Sequence, residues 1–175
     1  MPIRLIPNVL TTLRLLAVPV FAALMISADG GTSPAAAVVF AFAAVTDFLD
    51  GELSRRFHAQ SRYGRVLDPI ADRLLIDVAV VLLWWDDRVP LVLVLIVLAR
   101  DALLLFSLLF GRGRTLGIRV NVAGKAGTLV TMIGLLLAIV TPRGAIATQI
   151  VLWSGVALLV LGGLIYARTL RRLHA

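Results

Sequence analysis

Six apolar stretches, each close to the roughly 20 residues that a helix needs to cross a bilayer, decide what this chain can fold into. They run over residues 9–27, 34–56, 64–85, 90–111, 122–141 and 147–168. With 60% hydrophobic and only 15% charged residues in 175, the chain has lipid as its natural solvent. The expected fold is an all-α integral membrane protein of six transmembrane helices, forming a single domain over 1–175. Local signals support the division: Ser33-Pro34 reads as an N-cap followed by proline at the first helical position, Pro90 opens the fourth stretch, Gly111 closes it and Pro142 follows the fifth. Residues 1–8, with Pro2, Arg4 and Pro7, are expected to lie along the interface before Asn8 caps the first helix. The first stretch lacks a small-residue cleavage site and reads as a retained span.

The charges then orient the chain. The formal charge is +7, and Lys125 is the only lysine. Arg4, the 55–65 loop (Arg55, Arg56, Arg62, Arg65), the 112–125 loop (Arg112, Arg114, Arg119, Lys125) and the tail (Arg168, Arg171, Arg172) all fall on one side of a six-span arrangement. Only Arg88 and Arg143 fall on the other. By the positive-inside rule both termini are cytoplasmic, in what we expect to be a bacterial plasma membrane. The basic residues are read as orientation and anionic-lipid contacts, not as a nucleic-acid surface. The absence of cysteine removes disulfides, thiolate zinc sites and thiol nucleophiles.

Against this background, four carboxylates stand out, in the run Asp47-x2-Asp50-Gly51-x3-Arg55-x8-Gly64-x3-Asp68-x3-Asp72. Charge in an apolar helix is costly unless paired or functional. At about 100° per residue, Asp47 and Asp50 share one helical face, and Asp68 and Asp72 share another. Converging, they carry about four negative charges, which two divalent cations balance. Oxygen-only ligands favour Mg2+ or Mn2+ over zinc. Two metals held by aspartates suit in-line displacement at phosphorus. Gly51 and Gly64, with the small Ser54, leave room for a phosphorylated group, and Arg55 offers a guanidinium to phosphate oxygens. Pro69 is expected within the first turn of the third helix, where its missing amide hydrogen has no intrahelical partner. Orientation places this active site at the cytoplasmic side of the bundle.

The run resembles the signature of the CDP-alcohol phosphatidyltransferases, D-x2-D-G-x2-A-R-x8-G-x3-D-x3-D, at every position except the alanine, which is Ser54 here. Pro7, Asn8, Leu10, Thr11 and Arg14, and the stretch from Leu67 to Arg73, are similar to further patterns of that family. The resemblance implies that Asp47, Asp50, Asp68 and Asp72 bind metal, with Asp72 also a candidate general base. It also implies that Gly51, Ser54, Arg55 and Gly64 border the cytidine diphosphate. An acceptor hydroxyl would attack the β-phosphorus of CDP-diacylglycerol, in a cavity open to the inner leaflet, and CMP would leave. A homodimer is implied as well.

For the acceptor, Arg100-Asp101 and Gly124-Lys125 resemble the cardiolipin-forming branch, so phosphatidylglycerol is the first expectation and glycerol 3-phosphate the alternative. Arg100 and Lys125 are candidates for the acceptor phosphate. An equal case makes Arg100 the partner of a helix carboxylate and lets Lys125 snorkel to the interface. Arg14 is placed near the cavity, Asp77 is expected to pair with Arg73 four residues earlier, and His58 is read as a surface residue. Small residues at Ala123, Gly124, Ala126 and Gly127 are read as close helix packing. A divalent-cation transporter is the remaining alternative, disfavoured because Arg55 would obstruct a cation path.

Overall fold

The computed structural model describes residues 5–57, 64–110 and 122–174, with side chains described over 12–46, 73–106, 122–165 and at Arg168. Among the described residues there are six helices and no strand: α1 (Leu5–Ser27), α2 (Pro34–Phe57), α3 (Gly64–Trp85), α4 (Leu91–Phe110), α5 (Val122–Val140) and α6 (Ile146–His174). The four central helices end within one residue of the expected limits. The outer two differ. Helix α1 already begins at Leu5, so Asn8 lies in its first turn and does not cap it, and the expected interfacial stretch shrinks to residues 1–4, outside the described residues. Pro7 is tolerated there because first-turn amides have no intrahelical acceptor. Helix α6 runs on to His174, since hydropathy falls after Ile165 while no proline or glycine interrupts the helix. With α3 opening at Gly64, Pro69 is its sixth residue, one turn later than expected, and cannot donate to the Arg65 carbonyl.

The chain divides into two units, Met1–Asp87 with α1 to α3 and Arg88–Ala175 with α4 to α6. In the first, α1 packs on both α2 and α3. Buried positions recur at three- and four-residue steps: Arg14, Val18, Phe21 and Met25 on α1, and Ala36, Ala37, Phe40 and Ala43 on α2. On α3 they are Leu75, Ile76, Ala79, Val80 and Leu83, one face of a 3.6-residue helix. Phe21 and Phe40 meet with ring centroids 5.7 Å apart. Between α1 and α2 the chain turns through Asp29 (φ 46°) and Gly30 (φ 71°). Ser33 then caps α2 as expected, its hydroxyl oxygen accepting the Ala36 amide at 3.3 Å.

In the second unit α5 and α6 form a hairpin through a turn in which Gly144 takes φ 75°. Their seam is built from close backbone approach. A Cβ on Gly127 would lie 2.7 Å from the Leu159 amide nitrogen, one on Gly155 2.7 Å from that of Thr131, and one on Gly162 2.9 Å from the Gly124 Cα. A Cβ on Gly134 would lie 3.1 Å from the Leu152 Cα. The facing pairs are therefore 124 with 162, 127 with 159, 131 with 155 and 134 with 152, a single antiparallel register. Gly124 and Gly127 are packing residues, as the sequence suggested.

Arg88 ties the far end of this unit. It is 5% exposed, and its guanidinium donates to the Ala138 carbonyl at 2.9 Å and the Thr141 carbonyl at 2.7 Å. It thereby satisfies carbonyls at the C-terminal end of α5 that have no intrahelical partner. Its own carbonyl accepts from Gln149 Nε2 at 3.0 Å. One of the two arginines that break the expected charge asymmetry is thus a buried clasp.

Among the described residues, Val122–Val140 and Ile146–Ile165 are long and apolar enough to cross a membrane, and Thr12–Ser27 of α1 and Pro34–Thr46 of α2 are apolar as well. Large apolar side chains are exposed on the other helices too, including Leu16, Val20, Phe42, Val45, Trp85, Val92 and Leu95. Soluble monomers rarely show so much contiguous apolar surface, and lipid is the solvent that suits it.

Candidate active site

Both aspartate pairs fall on continuous helix: Asp47 and Asp50 in the second half of α2, Asp68 and Asp72 in the first half of α3. Helical geometry separates Asp47 from Asp50 by roughly 60° and Asp68 from Asp72 by roughly 40° around their axes, so each pair shares a face. Residues 58–63 join the two helices, and a link that short reaches no more than roughly 25 Å. It therefore brings the acidic half of α2 and the acidic half of α3 to one end of the first unit. Gly51, Ser54 and Arg55 lie on the last turns of α2, and Gly64 opens α3. The side chains of all these residues, Asp47, Asp50, Asp68 and Asp72 included, lie outside the described residues, and so does His58.

The donor set fits a hard divalent cation, being made of carboxylates alone, held on rigid helical turns. The described side chains include no group of three or more His, Cys, Asp or Glu that could hold a metal. Arg14 is 2% exposed on α1, the helix that packs on both acid-bearing helices.

The acceptor candidates occupy the second unit. Arg100 of α4 contacts the carboxylate of Asp101 at 3.1 Å and donates through its other terminal nitrogen to Thr128 Oγ1 of α5 at 2.7 Å. The Thr128 hydroxyl in turn donates to the Gly124 carbonyl at 3.0 Å. Asp101 is 1% exposed, so Arg100 supplies the countercharge that a buried carboxylate needs. Lys125 is exposed in the first turn of α5, on the same two turns as Gly124 and Thr128. The structure thus joins Arg100 to the segment that carries Lys125. Sequence reasoning missed Thr128: an uncharged residue in an apolar helix gives no signal until its neighbour across the helices is known.

The family model described as CDP-alcohol phosphatidyltransferase matches residues 4–161. That stretch covers the whole run from Asp47 to Asp72 together with Arg100 and Lys125. The chain belongs to the CDP-alcohol phosphatidyltransferase family. Within it, this phosphatidyltransferase relative is 43% identical over 129 residues to a protein named cardiolipin synthase (CMP-forming) from Streptomyces coelicolor, covering 70% of this chain. It is 49% identical over 78 residues, 45% of this chain, to a CDP-diacylglycerol–glycerol-3-phosphate 3-phosphatidyltransferase from Pseudomonas fluorescens. A protein of that same name from Rickettsia felis is 28% identical over 95% of this chain and is itself covered over 96% of its length. The match spans 59% of the Streptomyces protein and 40% of the Pseudomonas protein.

Proposed function

We propose that this protein transfers a phosphatidyl group from CDP-diacylglycerol to a hydroxyl of phosphatidylglycerol, forming cardiolipin and CMP. The observation that carries the reading is the family match over 4–161, which encloses two aspartate pairs on helices that a short link brings to one end of their unit. Asp47, Asp50, Asp68 and Asp72 would hold two Mg2+ or Mn2+ ions, which would supply positive charge against the pyrophosphate and the departing CMP. Asp72 accepts the proton of the attacking hydroxyl. The hydroxyl oxygen forms a bond to the β-phosphorus, and the bond from that phosphorus to the bridging oxygen of CMP breaks. Gly51, Ser54, Arg55 and Gly64 border the cytidine diphosphate, and Arg100 and Lys125 take the acceptor's phosphate.

All six helices cross the bilayer in this reading, with both termini cytoplasmic, and the protein works as a homodimer in a bacterial plasma membrane. The loop charges support that orientation, since only Arg88 and Arg143 fall on the opposite side. Membership of a transferase family speaks against the cation-transport alternative.

For the acceptor, identity of 43% over 129 residues to the Streptomyces cardiolipin synthase favours phosphatidylglycerol. Glycerol 3-phosphate is the second reading, favoured by the near full-length match to the Rickettsia felis protein. The deciding experiment gives the purified protein CDP-diacylglycerol, Mg2+ or Mn2+, and either acceptor, and identifies the lipid product. Cardiolipin from phosphatidylglycerol is expected; phosphatidylglycerophosphate as sole product would replace the first reading with the second.

A further inference from the structure

We propose that Thr128 is a positioning residue for the acceptor, holding Arg100 where it meets the acceptor's phosphate; this rests on the reading that Arg100 and Lys125 bind that phosphate. A long guanidinium side chain has many rotamers, and fixing it beforehand lowers the entropy lost on binding. Contacts on two sides restrain Arg100. On one side stands the Asp101 carboxylate at 3.1 Å, on the other the Thr128 hydroxyl at 2.7 Å.

The hydroxyl is itself directed. By donating to the Gly124 carbonyl at 3.0 Å, it turns its lone pairs toward Arg100, so it acts as an acceptor there and not as a competing donor. Gly124 is itself confined by close packing: Gly162 of α6 sits so near that a Cβ on it would lie 2.9 Å from both the Cα and the nitrogen of Gly124. A chain of contacts therefore runs from α6 through α5 to the guanidinium on α4. It passes the turn of α5 that carries Lys125. Arg100 keeps 24% of its side chain exposed while Asp101 keeps 2%. The carboxylate is thus buried by the arrangement, while the arginine side chain is not closed off by it.

The test compares full-length variants with CDP-diacylglycerol as donor and phosphatidylglycerol as acceptor, and reads the two KM values separately. Thr128→Val removes the hydroxyl and keeps the shape; it should raise the acceptor KM about tenfold, the effect of losing one hydrogen bond to a charged group. The donor KM should stay within about twofold. Thr128→Ser restores the hydroxyl and should restore the acceptor KM. If Thr128→Val does not fold, Thr128→Ala makes the same deletion without a branched side chain. An unchanged acceptor KM in Thr128→Val, equal damage in Thr128→Ser, or parallel rises in both KM values would overturn the proposal. Arg100→Ala separates the two levels. If it leaves the acceptor KM unchanged, the phosphate-site reading fails; if it raises that KM while Thr128→Val does not, only the positioning role fails.

Discussion

Two glycines of α6, eight residues apart, should respond to the same substitution with opposite signs. Gly155 faces Thr131 across the seam, where an added Cβ would lie 2.6 Å from Oγ1, 2.7 Å from the amide nitrogen and 2.9 Å from Cα. Two of those atoms are helix backbone, so no rotamer change relieves the clash. The helices must separate by about 0.7 Å at this level before 2.7 Å becomes an ordinary contact of 3.4 Å. A gap of that size forfeits a quarter to a half of each contact's dispersion energy, and overpacking of this kind costs roughly 1–3 kcal/mol. Alanine's better helix propensity returns up to about 1 kcal/mol, leaving Gly155→Ala destabilised by roughly 1–2 kcal/mol. Gly163 has nothing within 4 Å of its would-be Cβ, so Gly163→Ala keeps the propensity gain of about 0.5–1 kcal/mol. At about 2–4 °C per kcal/mol for a chain of this length, the variants should differ in thermal midpoint by roughly 3–12 °C, with the parent between them. Tryptophan fluorescence during heating in detergent gives the midpoints, Trp153 of α6 being a built-in reporter. Equal midpoints, or a Gly155→Ala protein as stable as Gly163→Ala, would refute the close seam.

Asp68→Asn should lower CMP release from CDP-diacylglycerol by at least 100-fold, while leaving the purified protein folded by circular dichroism; full turnover in this variant contradicts the assignment of the aspartates. Chelating divalent cations should stop the wild-type reaction, and adding Mg2+ or Mn2+ should restore it. Arg88→Met removes two charge-assisted hydrogen bonds to α5 carbonyls and should cost roughly 3 kcal/mol, lowering the thermal midpoint by about 6–12 °C. Survival of the wild-type midpoint in Arg88→Met would mean that the clasp contributes nothing to stability.

The four central helices were legible to within a residue because prolines, glycines and a capping serine mark their ends, and those marks act locally. Helix α6 ran past its expected end because hydropathy and helix propensity part company at the basic tail: Arg171 and Arg172 leave the apolar stretch without stopping the helix. Asn8 was misplaced for the converse reason, since a strong capping residue is equally tolerated inside a first turn whose amides need no helical acceptor. The aspartate run was legible because four acids in apolar helices demand an explanation. Thr128 and the register of the α5–α6 seam were not, because both are pairings between helices. A glycine every three or four residues announces close approach but not the partner, and the partner follows only once the hairpin fixes which residues face each other.

That hairpin also bears on how the chain is made. Its paired positions are close in sequence, so it closes without waiting for distant parts of the chain. It is complete, however, only when α6, which follows the other five described helices in the chain, has been added. Until then Gly124 lacks the neighbour that confines its turn of α5, and the Thr128 anchor for Arg100 rests on an unsupported helix. A chain cut short before α6 would carry all four aspartates from Asp47 to Asp72 and still lack the packing behind the Thr128 contact to Arg100. The order of synthesis therefore delays the finished frame around Arg100 until α6 has been made.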